Sequence, residues 1–267
     1  MLRFAANITT LFKEYDFLDR FHVAHSAGFE AIECQLPYAF DAEIIAEKLR
    51  EHELQMVLHN FPVGDWSLGD RGIACNPRKK KDFQESIYKA VHYAKTLKCQ
   101  KLNCLSGISD PSFTHENTYT TFVDNLRLAA NILEKEDIQL VSEPINKHDI
   151  PNFFLSDFEL ALTLLHDVDH PNFKIQCDMY HLAKMETSII DTLAQHLEYI
   201  GHFQFADFPQ RHEPGTGTID FDLIFDFIKT SDYSGWVSAE YVPSKKTLDS
   251  LTWMKKYVVK FNSTATT

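Results

Sequence analysis

Much of what organises other enzymes is missing from this chain. It has no GxGxxG, no Walker loop and no GxSxG, so no dinucleotide, nucleoside triphosphate or serine nucleophile is signalled. Five cysteines, Cys34, Cys75, Cys99, Cys104 and Cys177, form no CxxC and are odd in number. That argues against a disulfide framework and against a thiolate zinc site. Cys34, Cys104 and Cys177 fall inside apolar runs and read as small buried hydrophobes. No apolar stretch reaches the ~18 residues of a membrane span. The opening MLRFAANITT carries no signal-peptide core, so a reducing cytoplasm is the expected compartment. Positive charge is scarce: 26 Lys and Arg stand against 38 Asp and Glu, a net charge of −12. A nucleic-acid partner needs a basic face, so none is expected. The one basic run, Arg78 to Lys81, reads as the start of a solvated helix.

What is present fits one barrel. At 267 residues, with 44% hydrophobic and 24% charged residues, the chain can bury a sizeable core and is not of disordered type. Strand-like runs cover 3–8, 31–36, 54–60, 101–107, 138–145, 173–180, 200–207 and 235–241. Helical periodicity falls between them at 16–27, 41–52, 80–97, 118–134, 156–166, 188–196, 221–230 and 247–261. Strict alternation implies a parallel sheet, and closure into a (β/α)₈ TIM barrel, a single α/β domain over 1–262, uses all eight strands. Residues 263–267 read as a frayed tail. The long connection from Phe61 to Arg78 is expected to act as a lid, with Trp66 on it and Gly64, Gly69 and Gly72 as its flexible points.

Four oxygen-bearing residues sit at the ends of four successive strand-like runs: Glu143, Asp178, Gln204 and Glu240. Strand ends of a parallel barrel converge, so these side chains are expected to meet. Three gathered carboxylates repel one another unless a cation neutralises them. With no His or Cys among the four, the set favours Mg²⁺ or Mn²⁺ over zinc. His202 shares the face of Gln204 and would replace it as a ligand only under a shifted strand boundary. Glu143 and Glu240 come from strands 5 and 8, whose ends are expected to face each other across the mouth. Such a pair suits acid–base chemistry beside a carbonyl, with a metal steadying an enediolate. Weaker pocket candidates are His59, Asn60, Asn103 and His181, with Arg71 or Arg211 to grip a carboxylate.

The stretches FAANITTLFKEYDFLDRF, LHNFPVGDWSLGDRGIACNP, EPIN followed by DIP, CDMYH, HFQFADFPQRHEPGTG and GWVSAEY resemble the hydroxypyruvate isomerase family, within the xylose-isomerase-like barrels. The likeness runs from strand 1 to strand 8 and includes loops. It implies an enzyme interconverting hydroxypyruvate and 2-hydroxy-3-oxopropanoate (tartronate semialdehyde). It also implies that Glu143 and Glu240 are the catalytic pair and that Glu143, Asp178, Gln204 and Glu240 hold the metal. The nearest rival is an isomerase or 3-epimerase of a larger oxo acid or keto sugar, such as 2-oxotetronate. An endonuclease-IV-like hydrolase would need a His-rich, multi-zinc site and a basic groove, and the sequence has neither. A barrel that merely binds a metabolite has no need of paired glutamates. The partner is therefore expected to be a small hydroxy-oxo acid, with no membrane partner. A homo-oligomer is left open.

Overall fold

A computed structural model describes residues 2–257. Eight strands, β1 (Arg3–Asn7), β2 (Ala31–Cys34), β3 (Gln55–Asn60), β4 (Lys101–Asn103), β5 (Gln139–Ser142), β6 (Phe173–Asp178), β7 (Ile200–Phe205) and β8 (Trp236–Ala239), follow one another in a closed parallel barrel. Nearly every strand residue is buried, as expected of parallel strands covered on both faces. The helices are α1 (Arg20–Ser26), α2 (Ala42–Glu51), α3 (Lys80–Leu97), α4 (His115–Glu134), α5 (Phe158–Val168), α6 (Met179–Lys184), α7 (Ile189–His196), α8 (Phe221–Thr230), α9 (Thr247–Ser250) and α10 (Met254–Tyr257).

Contact density separates two compact units, Met1–Val57 with Asp178–Leu197 and His202–Thr267, and Leu58–Cys177 with Glu198–Gly201. In the first, β1 pairs with both β2 and β8, through Ala6 to Ile32 and to Ala239. Its core is aromatic. Phe4 on β1, Phe205 on β7, Phe225 on α8 and Trp253 meet edge to face with centroids 5.1 to 6.0 Å apart. The same unit holds the loop after β7. Buried Asp207 accepts the backbone N–H groups of Gly215 (2.9 Å), Gly217 (2.8 Å) and Ile219 (3.1 Å), and so winds the chain around one carboxylate.

In the second unit, β4 lies between β3 and β5, with Leu102 opposite both His59 and Leu140. The apolar faces of α3 and α4 bury Phe83, Ile87, Phe122 and Leu126. The 61–78 connection is more ordered than its glycines suggest. It contains two short 3₁₀ turns, Trp66–Leu68 and Pro77–Lys79, and Lys79 clamps Asp70 at 2.5 Å. Gly72 bridges to Ser106.

Several strands end earlier than the sequence expectation, β4 at Asn103, β5 at Ser142 and β8 at Ala239, and the helices differ in three places. The first helix opens with a separate 3₁₀ turn, Phe17–Asp19. The C-terminal helix breaks into α9, a 3₁₀ turn (Leu251–Trp253) and α10. Residues 258–261 of that expected helix, and the expected tail at 263–267, lie outside the described residues. Finally, α6 was not expected: it starts directly after the last residue of β6, with that residue, Asp178, as its cap.

All five cysteines are buried, and none is in a disulfide. Burial pushes the thiol of Cys34 up to about 11 and that of Cys75 up to about 12.

Two glycines lock the 61–78 connection to the loop after β4. A Cβ on Gly107 (φ +96°) would strike the carbonyl of Gly72, and one on Gly72 would meet the nitrogen of Gly107 at 2.8 Å. Both obstacles are backbone and cannot rotate away. Gly107→Ala is expected to cost about 2–4 kcal/mol, seen as a lower urea midpoint. Gly28→Ala has a similar φ of +92° but nothing within 4 Å, so it is expected to cost only about 1 kcal/mol. Equal losses in the two variants would show that strain at φ, not backbone collision, sets the cost.

Candidate active site

Of the four strand-end residues, Asp178 ends β6, Gln204 lies within β7, and Glu143 and Glu240 each stand one residue beyond their strands. All four are at least 95% buried.

The first unit carries three of them. The two oxygens of Asp178 have separate tasks. Oδ1 accepts the N–H of Tyr180 at 2.9 Å and caps α6. Oδ2 faces His181 Nε2 at 3.6 Å and the Arg211 guanidinium at 3.4 Å. Arg211 also donates to Glu240 Oε1 at 2.8 Å and lies 5.0 Å over the Tyr180 ring. It holds this position from a left-handed backbone conformation, φ +61°, in the loop wound around Asp207. Glu240 accepts from Gln35 (3.0 Å), Asn7 (2.8 Å) and Gln204. Burial pushes its carboxyl up to about 8; Arg211 opposes that shift, while the charges of Glu33 and Asp178 add to it.

Glu33, on β2, joins this network though the sequence reading did not single it out. It accepts from Asn7 (2.8 Å), from His202 Nε2 (2.8 Å) and from Gln204. Burial works to raise its pKa, but the hydrogen bond and charge of His202, with help from Ser238 and Gln204, hold it below the ordinary carboxylate value. His202 is thus engaged with Glu33 and with Ser238 at 3.2 Å.

The second unit carries Glu143. Its Oε2 accepts from Gln176 at 2.9 Å and from Asn103 at 3.3 Å, and the same Asn103 amide donates to Asn60 at 3.1 Å. The other end of that amide, Asn103 Oδ1, is buried without a hydrogen-bond partner. An orphaned buried acceptor is costly unless something supplies a donor, so this oxygen marks a place for a ligand hydroxyl. His59 is fully buried, with Nδ1 3.1 Å from the Asn60 carbonyl. Arg71 is engaged within its own loop. Its guanidinium donates to the carbonyls of Trp66 (3.2 Å) and Asp70 (2.7 Å) and stacks 3.6 Å over the Trp66 ring. Trp66 itself is 54% exposed.

Within the first unit, the Asp178 carboxylate and the His181 imidazole, both buried, lie 3.6 Å apart. A buried carboxylate beside an imidazole is a donor pair that suits a divalent cation. This grouping gives His181 a place among the donors that the sequence reading had reserved for substrate. Sequence reasoning also missed Asn7, Glu33, Gln35 and Gln176. Their only signal was a polar residue interrupting an apolar strand.

Comparisons with known proteins agree with the fold. Residues 21–257 match the Xylose isomerase-like TIM barrel family. The chain is 47% identical to a hydroxypyruvate isomerase of Escherichia coli (strain K12), over 96% of this chain and 100% of that protein. It is 33% identical to a 2-oxo-tetronate isomerase of Cupriavidus necator, over 97% and 99%. A crystal structure described as AP endonuclease, family 2, from Brucella melitensis superposes with a TM-score of 0.94 at 37% identity, covering 96% of this chain and 99% of that one.

His59 gives a pH dependence of stability. Burial lowers its pKa from 6.5 to about 4, against a small opposing bond to the Asn60 carbonyl. Between these values the unfolded chain binds a proton that the folded chain refuses. Stability supplied by the neutral imidazole is therefore present above pH 6.5 and is lost as pH falls toward 4. Melting temperature should drop over that interval, and the drop should shrink in His59→Gln. An unchanged slope in the variant would mean that other groups carry the acid sensitivity.

Proposed function

The chain belongs to the hydroxypyruvate isomerase family of xylose isomerase-like TIM barrels, and from that membership we propose that it interconverts hydroxypyruvate and 2-hydroxy-3-oxopropanoate. The observation that carries the reading is the full-length identity of 47% with an enzyme of that name. The rival substrate, 2-oxotetronate, rests on relatives of lower identity, 33% and 35%. A net charge of −12 weighs against nucleic acid as the substrate, despite the description carried by the Brucella structure.

The reaction moves a proton from C3 to C2, with O2 gaining a proton and O3 losing one. Glu143 and Glu240 are assigned as the acid–base pair. One takes the C3 proton to leave an enediolate, and the other assists at the neighbouring carbon. Burial raises the Glu240 carboxyl to about 8, and a cation held beside it would favour the carboxylate, the form that can take a proton. Arg211 is assigned to the substrate carboxylate, because the guanidinium is a bidentate partner and already lies among the acidic groups. Arg71 is the second candidate, although its own loop holds it. Asn103 Oδ1 would accept a substrate hydroxyl, with His59 and Asn60 behind it. A divalent cation, Mg²⁺ or Mn²⁺, would be held by Glu143, Asp178, Gln204 and Glu240, with His181 beside Asp178. When bound, the cation supplies positive charge that steadies the developing enediolate oxygens. No helix among the described residues is long and apolar enough to cross a membrane, and a cytoplasmic site of action is proposed.

Three assays test the reading. Glu143→Gln and Glu240→Gln should each lower kcat by about 10²–10⁴-fold with little change in KM. EDTA should lower activity and Mn²⁺ restore it. Turnover in D₂O should place deuterium in the product, since a carboxyl proton exchanges with solvent. Near-normal turnover in both Gln variants would overturn the assignment, and complete retention of the substrate hydrogen would point to a hydride shift. Faster turnover of a four-carbon oxo acid would replace the three-carbon substrate.

A further inference from the structure

Two amides, on Asn7 and Gln204, stand between the same two carboxylates. Asn7 Nδ2 donates to Glu33 Oε1 and to Glu240 Oε2, each at 2.8 Å. Gln204 Nε2 donates to the same two oxygens. An amide nitrogen has two hydrogens, and in both residues one goes to Glu33 and the other to Glu240. The orientation of Asn7 has an independent anchor, because its Oδ1 accepts the backbone N–H of Thr9 at 2.9 Å. For Gln204 the argument is electrostatic. A carbonyl oxygen in the nitrogen's place would oppose two carboxylate oxygens, so the nitrogen must face them and the carbonyl must lie on the other branch.

A single carboxylate could not fix this arrangement. With Glu240 alone, the Gln204 amide nitrogen would lose one of its two carboxylate acceptors. Glu33 supplies the second acceptor, from a different strand, and its other oxygen is held by His202 at 2.8 Å. Glu33 is 1% exposed and His202 fully buried, so neither has solvent as an alternative partner. The hydrogen-bond route from Glu33 to Glu240 runs through these amides, while the charge of Glu33 also acts on Glu240 directly.

We propose that Glu33 is a positioning residue: it pins the amide nitrogens of Gln204 and Asn7, so that the Gln204 carbonyl oxygen is presented to the cation and Glu240 keeps a fixed orientation. The proposal rests on the assignment of Gln204 and Glu240 to the working site. Groups that orient a ligand commonly matter about 10–100-fold in metal affinity.

Two variants separate placement from charge. Glu33→Gln loses the charge but keeps an acceptor oxygen at full reach, and its own amide can donate to a neutral His202. Glu33→Asp keeps the charge but withdraws both oxygens by one methylene. Mn²⁺ affinity, measured on stripped protein without substrate, should fall by at most about fivefold in Glu33→Gln and by about 10–100-fold in Glu33→Asp. With Mn²⁺ saturating, kcat should follow the same order while KM changes by less than about threefold. In a Gln204→Ala background the Glu33→Asp loss in affinity should largely vanish, because the route runs through Gln204. The reverse order, or an equal fold loss with and without Gln204, would overturn the proposal. Melting curves identify any variant that fails to fold, and Glu33→Gln then carries the comparison with wild type. The affinity measurement uses no substrate, so an error in the substrate assignment alters the kinetic arm alone and leaves this test intact.

Discussion

Negative charge held away from water is the constraint on which the working end of this protein depends. Glu33, Glu143, Asp178 and Glu240 are each 5% exposed or less. A buried carboxylate without donors costs several kcal/mol, so each must be surrounded by N–H groups. The chain meets that demand mostly with neutral amides: Asn7, Gln35 and Gln204 around one pair, Asn103 and Gln176 around Glu143. Amides satisfy lone pairs without cancelling charge. That leaves a concentrated negative field, against which the described partners of positive or titratable character are His181, His202 and Arg211. Such a field attracts cations and repels anions.

Arg211 depends in turn on a loop with its own internal logic. The chain after β7 turns around Asp207, whose two oxygens take three backbone N–H groups. Glu213 extends the same loop to Ser244, accepting its N–H at 3.0 Å. The guanidinium therefore arrives from a braced segment and not from a free surface arm. Asp178 shows a similar economy, since one oxygen holds the start of α6 while the other faces His181, which that helix carries.

The barrel itself was legible because its signal is repetitive. Eight apolar runs alternating with eight helical periodicities leave few other architectures. Glu143, Asp178, Gln204 and Glu240 were legible because each breaks an apolar run at its end, where a barrel places its chemistry. Glu33 and Asn7 were not, although they lie on the same kind of strand. Their meaning comes from His202, Gln204 and Glu240, some 170 or more residues away in the chain, and no local pattern encodes that pairing. The helix α6 escaped for a different reason. It begins directly after the last residue of β6, so no polar turn separates the two, and Asp178 looked like a strand end alone. His181 was consequently read from its spacing and not from the helix that aims it.

The cysteines have a practical consequence. All five thiols are enclosed, and burial keeps Cys34 and Cys75 in the unreactive protonated form at neutral pH. The native fold is thus nearly silent toward maleimides and other thiol probes. A single cysteine introduced at Leu68, which is 83% exposed on the turn beside Trp66, would be the one readily labelled position. A spectroscopic reporter attached there would follow the 61–78 segment during turnover without first stripping the protein of its own sulfur.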